Sequence, residues 1–316
     1  MVSIYTQSER CHQNTTGYVK ITAKQVKADL ISQKMYNVVD FSQGTVNNVL
    51  NRLGYSLKKV RKTLPLKRIE QTDAIFDNVS LNRKNTAIGT LQLSYDVKDK
   101  IRVGELSRKG YHRGKEDVYA LDKDQHWDET LVPLGILEIK SGKSTIIVGN
   151  SNETSDFIVD GFEKWYEMEK ENLNLKGIHT LELYADNGPA IHSHRTQFIK
   201  RMMEFACITN LNIHLIYYPP YHSKYNPIER VWAAVEQYWN GTILSSVDKV
   251  IKTLQNVKWK NINLNSVFMD KVYQKGISLS PKEMAQLEAL LIRKPDLEKW
   301  DVWIKPSFEM GILFFE

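Results

Sequence analysis

The order of the apolar segments between residues 89 and 245 constrains the fold more than any other feature of this chain. Alternating or continuous apolar runs predict strands, and runs with a helical period predict helices. Strands are predicted at 91–97, 100–106, 135–140, 144–149, 180–185 and 213–218, and helices at 154–173, 195–209 and from 227 onward. Strands joined through helices pair in parallel, whereas hairpins pair antiparallel. The order therefore predicts a mixed sheet with helices on both faces.

This succession is that of the ribonuclease-H-like arrangement, and it sets the domain boundaries that we expect. An α/β core is predicted at 89–245, preceded by a linker helix at 69–88 and followed by a helical extension at 246–316. Residues 1–68 are predicted to form a small, all-α helix-turn-helix domain. With 42% hydrophobic and 25% charged residues, the chain has a globular composition, which excludes collagen-like, disordered and coiled-coil classes.

The helix-turn-helix prediction rests on two short helical patterns. Thr22 is placed as the N-cap of the first, in which apolar residues at 23, 26, 30 and 31 share one face. The second begins after Ser42 and ends at Gly54, and its apolar stripe comprises Val46, Val49, Leu50 and Leu53. Asn48 and Arg52, on its polar side, are the expected readers of base edges in a major groove. A small helical hairpin with a polar face is the alternative.

Positive charge is concentrated in the same N-terminal segment. Residues 1–68 contain 12 Lys or Arg against 3 Asp or Glu, whereas the rest of the chain contains 31 against 34. Such a division is expected when one module binds a polyanion and another carries out chemistry, although basic segments also serve only to keep proteins soluble. Residues 57–68 suit an arm along phosphates better than a solvated linker, and the expected phosphate contacts are Lys58, Lys59, Arg61 and Lys62.

The sequence gives no sign of a membrane or an export route. The longest uninterrupted apolar runs, such as 146–148 and 312–315, are far shorter than the roughly 18 residues of a membrane-spanning helix. The N-terminal residues lack the apolar centre of a signal peptide. Cys11 and Cys207 are too far apart to suggest a disulfide framework or a cysteine-based zinc site. We therefore expect a cytoplasmic protein without a membrane partner.

Three acidic residues are predicted to meet at one edge of the sheet. Asp96 lies at the end of the first strand, and Asp186 comes directly after the apolar strand predicted at 180–185. Proteins of this fold class carry their sites at strand ends. Asn226 as N-cap and Pro227 as the first helical residue would put Glu229 in the first turn of the last helix. The carboxylates are therefore expected to converge.

Converging carboxylates have a well-defined chemistry. Their oxygens are the ligands that Mg²⁺ (or Mn²⁺) prefers. Two such ions, roughly 3.5–4 Å apart, would activate the attacking oxygen and stabilise the leaving oxygen at a phosphodiester. Taken singly, each acid also has an ordinary structural explanation, because Asp before Asn-Gly suits a turn and an acid in a first helical turn favours the helix dipole.

The residues around these acids resemble a known family. Asp186-Asn187-Gly188, followed 43 positions on by Glu229 within Asn-Pro-Ile-Glu-Arg, is similar to the DDE transposases of insertion sequences. More closely, the chain resembles the ISAzo13-type transposases, which are related to the IS630 and mariner elements. The resemblance extends from about residue 20 to 306 and rests on the order of its motifs. These are Gly54-Tyr55-Ser56-Leu57, Tyr95-Asp96-Val97-Lys98, Val103-Gly104-Glu105, Val132-Pro133-Leu134-Gly135, the segment 219–229 and Tyr273-Gln274-Lys275-Gly276-Ile277.

This resemblance implies roles for individual residues. Asp96, Asp186 and Glu229 would be the catalytic, metal-binding triad, with two Mg²⁺ (or Mn²⁺) ions expected when DNA is bound. Asn187 and Gly188 would form the turn that presents the second of these acids. The rim near the scissile phosphate would be lined by His222, Ser223, Lys224 and Asn226. For the histidine of this rim, an ordinary surface-loop position is the alternative.

The function that the resemblance implies is that of a DNA transposase, a metal-dependent polynucleotidyl transferase. The basic N-terminal module would bind the terminal inverted repeats, and the core would cleave a strand and use the freed 3′-hydroxyl to attack target DNA. Bringing two ends together requires at least two protomers, so a homo-oligomer is expected in the synaptic complex, in a nucleoid-associated location. The alternatives are a non-catalytic DNA-binding protein derived from a transposase and a metal-dependent nuclease without strand transfer.

Overall fold

The structure is a computed structural model that describes residues 6–7, 18–19, 21–33, 41–58, 68–113, 115–122 and 126–315. Contacts between Cα atoms divide the chain into two units, Met1–Leu64 and Pro65–Glu316. Among the described residues, no helix is both long enough and apolar enough to cross a membrane.

The smaller unit contains two short helices, α1 (Ala23–Ser32) and α2 (Gln43–Arg52). The side chain of Thr22 begins α1 in a reciprocal capping box, and the side chain of Ser42 caps the start of α2. The apolar faces of the two helices form a small core that includes Ala23, Val26 and Val46. Both predicted helices and their N-caps are confirmed.

Two further features frame these helices. Strand β1 (Thr6–Gln7) pairs antiparallel with β2 (Tyr18–Val19). This pairing was not predicted, because two-residue strands produce no period in the sequence. Gly54 has a φ of 87°, in the left-handed region that glycine favours, and it ends α2 as predicted.

The larger unit is built around one mixed sheet. Its helices are α3 (Thr72–Lys84), α4 (Ser155–Leu175), α5 (Thr196–Thr209), α6 (Ile228–Trp239), α7 (Val247–Asn256), α8 (Pro281–Glu288) and α9 (Phe308–Phe315). Its strands are β3 (Thr90–Val97), β4 (Ile101–Val103), β5 (Glu129–Glu138), β6 (Ser144–Gly149), β7 (Thr180–Ala185), β8 (Asn212–Tyr217), β9 (Lys258–Trp259), β10 (Ile262–Asn263), β11 (Asn265–Met269), β12 (Leu291–Arg293) and β13 (Asp301–Ile304). A short 3-10 helix, Ser223–Tyr225, precedes α6.

The sheet is mixed, as the sequence predicts. Within the described part of the chain, its nine strands run β11-β6-β5-β3-β7-β8-β13-β12, with β4 paired to β5 beside this path. Strands β3, β7 and β8 are parallel, whereas β5 is antiparallel to both β3 and β6. The central order β6-β5-β3-β7-β8, in which β5 alone is reversed, is the ribonuclease-H-like arrangement. The predicted α/β fold class is confirmed.

Two apolar cores cover the two faces of this sheet. The first joins α4 and α5 to the central strands and includes Leu93, Phe162 and Met202. The second joins α6 and α7 to β5 and β6 and includes Ile146 and Trp232. Because both faces are covered, the ends of the strands are where polar side chains of the sheet meet solvent.

Two predicted strands have different bounds in the structure. β5 begins at Glu129 rather than at residue 135, because its polar start and Pro133, which lacks the N–H of a central strand residue, conceal it in the sequence. The strand predicted at 100–106 is reduced to β4, Ile101–Val103, since Gly104 turns the chain with a φ of 147°.

The prediction of a helical extension at 246–316 is wrong. Three helices do lie there, but β11 pairs in parallel with β6, and β13 pairs antiparallel with β8. Strands β11, β12 and β13 contain 5, 3 and 4 residues, too few to reveal a period in the sequence. The C-terminal residues therefore extend the central sheet on both sides.

Candidate active site

The register of β3 and β7 places Asp96 and Asp186 at the same level. The two strands are parallel, and their last paired residues are Ser94 and Tyr184. Asp96 and Asp186 each lie two residues further along the chain, at the carboxyl edge of the sheet. Open α/β sheets carry their sites at this edge.

The start of α6 is attached to β3 by hydrogen bonds. The hydroxyl of Ser94 accepts the backbone N–H of Ile228 at 2.9 Å and donates to Oδ1 of Asn226. Nδ2 of Asn226 donates in turn to the carbonyl oxygen of Tyr95 at 3.0 Å. The first turn of α6 is thereby held against the strand that carries the first acid.

These bonds correct one prediction and agree with another. The N-cap position of α6 is occupied by Pro227, so the predicted N-cap role of Asn226 is wrong. The amide of Asn226 is engaged by β3, and Ser94 satisfies the first free N–H of the helix from the neighbouring strand. Glu229 lies in the first turn of α6, as expected.

A glycine lets α6 approach the sheet beside the acids. Gly135 of β5 pairs with Asp96 of β3. A Cβ atom at this glycine would lie only 2.5 Å from Cζ2 of Trp232 in α6. The absence of a side chain therefore allows the indole to rest on β5 at the level of Asp96.

Burial and the charges of neighbouring acids raise the pKa values of the two aspartates. The pKa of Asp96 rises to about 8, first because of burial and then because of the charges of Asp186 and Glu229. The indole N–H of Trp232 opposes this rise, although its geometry does not complete a hydrogen bond to any described residue. The pKa of Asp186 rises to about 6, through burial and then through the charge of Glu229. The three carboxylates therefore repel one another across the sheet edge.

The acids offer the oxygen ligands that a divalent cation prefers, but they do not surround a single point. Within the described part of the chain, no three His, Cys, Asp or Glu side chains form a group that could hold one ion. Oδ1 of Asp186 is buried and has no hydrogen-bond partner among the described residues. This oxygen and the raised pKa values fit a site where a cation would relieve the repulsion.

A fourth carboxylate near this edge, Glu153, was missed by the sequence analysis. It lies between β6 and α4, immediately before the N-cap Thr154, and its charge contributes to the raised pKa of Asp96. Its own pKa is raised by burial, against the lowering effect of Lys100. Because β6 runs in the same direction as β3, its carboxyl end reaches the same edge. Applied to β6, the strand-end rule that selected Asp186 would have found it.

The turn after Asp186 is closed by backbone hydrogen bonds. The carbonyl oxygen of Gly188 accepts from the N–H groups of Ile191 and His192 at 3.1 and 2.9 Å. Oδ1 of Asn187 is buried without a hydrogen-bond partner among the described residues. A Cβ atom at Gly188 would meet only Ile191, at 3.8 Å, so this turn does not require glycine.

The predicted rim residues divide into buried and exposed ones. His222 is 5% exposed, its Nδ1 bonds to a backbone carbonyl at 2.6 Å, and its ring packs edge-on against Phe76, so the surface-loop alternative is wrong. Asn226 is 1% exposed and lies beneath the surface, between β3 and α6, where it does not line a rim. Ser223 and Lys224 are exposed in the short 3-10 helix.

The candidate DNA-binding residues of the smaller unit are placed only in part. Asn48 and Arg52 are exposed on α2, and Lys58 is exposed shortly after it. The phosphate contacts predicted at Lys59, Arg61 and Lys62 lie outside the described residues. The roles of all these side chains in DNA binding stay predictions.

The strand order and the carboxylates at the sheet edge define a ribonuclease-H-like α/β protein with an acidic strand-end site. The sequence model of the family described as Rhodopirellula transposase DDE domain matches residues 5–306, and this chain belongs to that family. The family membership predicted from the motifs is thereby confirmed. No curated protein sequence matches the chain.

Solved transposase complexes are similar to this chain at low sequence identity. The crystal structure of a pre-cleavage Mos1 transpososome shows 12% identity and a TM-score of 0.45, over 78% of this chain and 73% of that chain. The Mos1 mariner paired end complex with Mn shows 12% identity and a TM-score of 0.45, over 79% and 74%. The corresponding complex with Mg shows 12% identity and a TM-score of 0.41, over 79% and 75%.

Proposed function

We propose that this chain is a DNA transposase in which Asp96, Asp186 and Glu229 bind divalent metal ions for strand cleavage and strand transfer. The observation that carries the proposal is the mutual position of these acids. Two neighbouring strand ends and the first turn of α6 supply them, and burial together with their charges raises the pKa values of the two aspartates. Membership of a transposase family supports the reaction class.

Mg²⁺ or Mn²⁺ at these carboxylates, two ions when DNA is bound, would activate the attacking oxygen and stabilise the leaving oxygen of a phosphodiester. The contribution of the chain itself is to position the ligands. Ser94 and Asn226 hold α6 against β3, which fixes Glu229 relative to Asp96. The ring of Trp232 fills the space above Gly135, which pairs with the first acid.

In this proposal the smaller unit binds the terminal inverted repeats. Asn48 and Arg52, exposed on α2, would contact base edges, and the phosphates would be held by Lys58, Lys59, Arg61 and Lys62. Target DNA would reach the carboxylates past the exposed side chains of Ser223 and Lys224. Two protomers, one for each end, would form the synaptic complex.

The deciding experiment uses the full chain, Mg²⁺ and duplex DNA that carries the inverted repeats flanking the gene. We expect cut ends followed by joined products, and neither from Asp96→Asn, Asp186→Asn or Glu229→Gln, with DNA binding retained. Cut ends without joined products would favour the nuclease without strand transfer. Binding without cleavage by the unaltered chain would favour the non-catalytic DNA-binding protein and contradict the proposal.

A further inference from the structure

A basic groove lies beside the acidic edge, between the segment that follows β3 and the C-terminal half of α6. Its volume is about 350 Å³. The charged side chains of its wall are Lys98, Lys100, Arg102, Arg108, Asp99 and Glu236. Glu236 already forms an ion pair with Lys98 at 3.0 Å, and Arg102 lies over the ring of Trp127. The other charged side chains of the wall are two cations, Lys100 and Arg108, and one acid. The groove therefore carries excess positive charge next to the sheet edge that holds the carboxylates.

Arg108 gives the groove a cation that is partly withdrawn from water. Its guanidinium lies over the ring of Trp239, 5.0 Å from the ring centre, and its side chain is only partly exposed. Burial lowers its pKa, against the raising effect of the charge of Glu236. No described carboxylate comes within ion-pair distance of it. A desolvated guanidinium without a paired carboxylate favours an incoming anion.

The loop that carries Arg108 is held in place at both ends. The N–H of Gly104 donates to the carbonyl oxygen of Leu244 at 2.9 Å, and the N–H of Gly241 donates to that of Lys109 at 2.6 Å. Gly110 packs so closely on this segment that a Cβ atom there would lie 2.7 Å from the nitrogen of Gly241. The wall of the groove is thus formed before any ligand arrives.

The groove runs away from the acids along α6. Lys98 lies two residues beyond Asp96, and it pairs with Glu236, which lies seven residues after Glu229 on the same helix. Seven helical residues make about two turns, or about 10.5 Å along the axis, so the two glutamates share one side of α6. Along the axis of duplex DNA, the phosphates of one strand advance about 3.4 Å each. A duplex whose axis runs parallel to α6 would therefore cover this distance in about three nucleotides.

We propose that this groove, formed by Lys98, Lys100, Arg102 and Arg108, binds the sugar-phosphate backbone of DNA about three nucleotides from the phosphate held at the carboxylates. The proposal rests on the proposed function, because it requires a DNA strand at the acidic edge. It also adds DNA contacts to the part of the chain after residue 68, where 34 Asp or Glu outnumber 31 Lys or Arg. The overall negative charge of this part conceals the local basic groove. These contacts position the strand and do not read bases.

The first test measures binding of the full chain to a 30-base-pair duplex of arbitrary sequence at about 50 to 200 mM salt. Each of Lys100→Gln and Arg108→Gln is expected to reduce the slope of log affinity against log salt by about one unit. Arg108→Lys keeps the charge and is expected to retain the slope, which separates a lost phosphate contact from a fold defect. Lys252→Gln, at an exposed lysine of α7, is the matched control and leaves the slope unchanged.

The second test locates the contact on the DNA. The same duplexes carry a single uncharged methylphosphonate at successive positions from a 3′-hydroxyl end. We expect a methylphosphonate near the third position to weaken DNA binding by the unaltered chain. The same substitution should not weaken DNA binding by Arg108→Gln any further. Unchanged salt slopes, or equal losses at every position, would overturn the groove. These measurements need no cleavage, so a chain that binds in this way but never cuts DNA would contradict the proposed function and leave the groove intact.

Discussion

Ser94 of β3 accepts a hydrogen bond from the backbone N–H of Ile228, the first residue of α6, across 134 positions of sequence. This bond replaces the local side-chain cap that most helices use. It also joins the strand that ends in one acid to the helix that begins with another. The relative position of Asp96 and Glu229 therefore depends on a serine that carries no charge.

Ser94→Ala is expected to lower the free energy of unfolding by about 1–3 kcal/mol, because the Ile228 N–H and the Asn226 amide lose a buried partner. Cleavage should fall more than DNA binding, since α6 is no longer held at its start. The matched control is Ser266→Ala, which removes another buried hydroxyl, bonded at 3.1 Å to Ile251. Urea unfolding measures the stability of the two variants, and cleavage assays measure their activity. Equal cleavage rates for Ser94→Ala and Ser266→Ala would contradict the role of Ser94 in positioning α6.

Gly135→Ala is expected to cost about 1–3 kcal/mol of stability and to slow cleavage, because the new methyl group meets the ring of Trp232 at 2.5 Å. Gly188→Ala is the informative comparison. This glycine is much closer in sequence to Asp186, yet its added methyl group meets only Ile191, at 3.8 Å. Thermal unfolding and cleavage assays should show lower stability and slower cleavage for Gly135→Ala and little change in either for Gly188→Ala. The reverse pattern would show that the turn after Asp186 requires its glycine.

Asp96→Asn is expected to make the metal-free protein more stable at pH 9, by about 1–3 kcal/mol, because it removes a buried, repelled charge. The folded-state pKa of about 8 lies above the usual value, so the stability linked to this group is lost as the pH rises from about 4 through 8. Mg²⁺ should stabilise the unaltered chain and not the variant.

Calorimetry from pH 4 to 9, with and without Mg²⁺, measures both effects of Asp96→Asn. Asp248→Asn, at an exposed acid in the first turn of α7, is the control and should shift stability by no more than about 0.5 kcal/mol. A variant that is less stable than the unaltered chain at pH 9 would show that the three acids do not repel one another.

A different aspartate is expected to stabilise the fold. Asp301 of β13 accepts from Nδ2 of Asn78 at 2.8 Å and pairs with Nε2 of His214 at 2.8 Å. Burial would raise its pKa, but the bond and charge of His214, the bond from Asn78 and the charge of Lys294 lower it overall. Its stabilising contribution is therefore complete above a pH of about 4 and is lost as the pH falls through its folded-state pKa.

Asp301→Asn should accordingly cost about 1–3 kcal/mol at pH 7, and the difference from the unaltered chain should shrink below pH 4. Urea unfolding between pH 3 and 7 measures this difference. Asp270→Asn removes an exposed acid that bonds only to the side chain of Asn150 among the contacts described, and it serves as the control. A difference that is constant across this pH range would contradict the lowered pKa.

Within the smaller unit, Arg52→Ala is expected to lower the ratio of affinity for the terminal repeat to affinity for random DNA, at a cost of about 1–3 kcal/mol on the repeat. Lys58→Ala should weaken both DNAs about equally, because a phosphate contact carries no sequence information. Competition gel shifts measure the two ratios. A ratio unchanged by Arg52→Ala and lowered by Lys58→Ala would place the reading residues in the basic arm.

The sequence was sufficient to predict those strands whose residues are all buried. Strands β6 and β7 lie where they were predicted, because each is a short, fully buried apolar run. The same regularity located Asp96 and Asp186, since a strand end in this fold class faces one edge. The motif order was enough to identify the family, although no single motif carries that information.

Interactions between distant segments were beyond the sequence. Asn226 looked like a cap because capping rules are local, whereas its partners lie on β3. For His222 a surface-loop position stayed open as an alternative, because nothing local indicates the ring of Phe76 that packs against it. The arginine at 108 drew no attention because its importance depends on Trp239, which lies on another element.

The outer strands of the sheet have a consequence for how the protein is made. Until residues 265–304 have been synthesised, β6 and β8 are the unpaired edge strands of the sheet in the nascent chain. Open strand borders invite pairing with other chains, and contacts between distant segments form slowly. We therefore expect the carboxylate edge to acquire its final geometry only after residues 265–304 have left the ribosome, so that nascent fragments lacking β11 and β13 would be inactive and prone to aggregate.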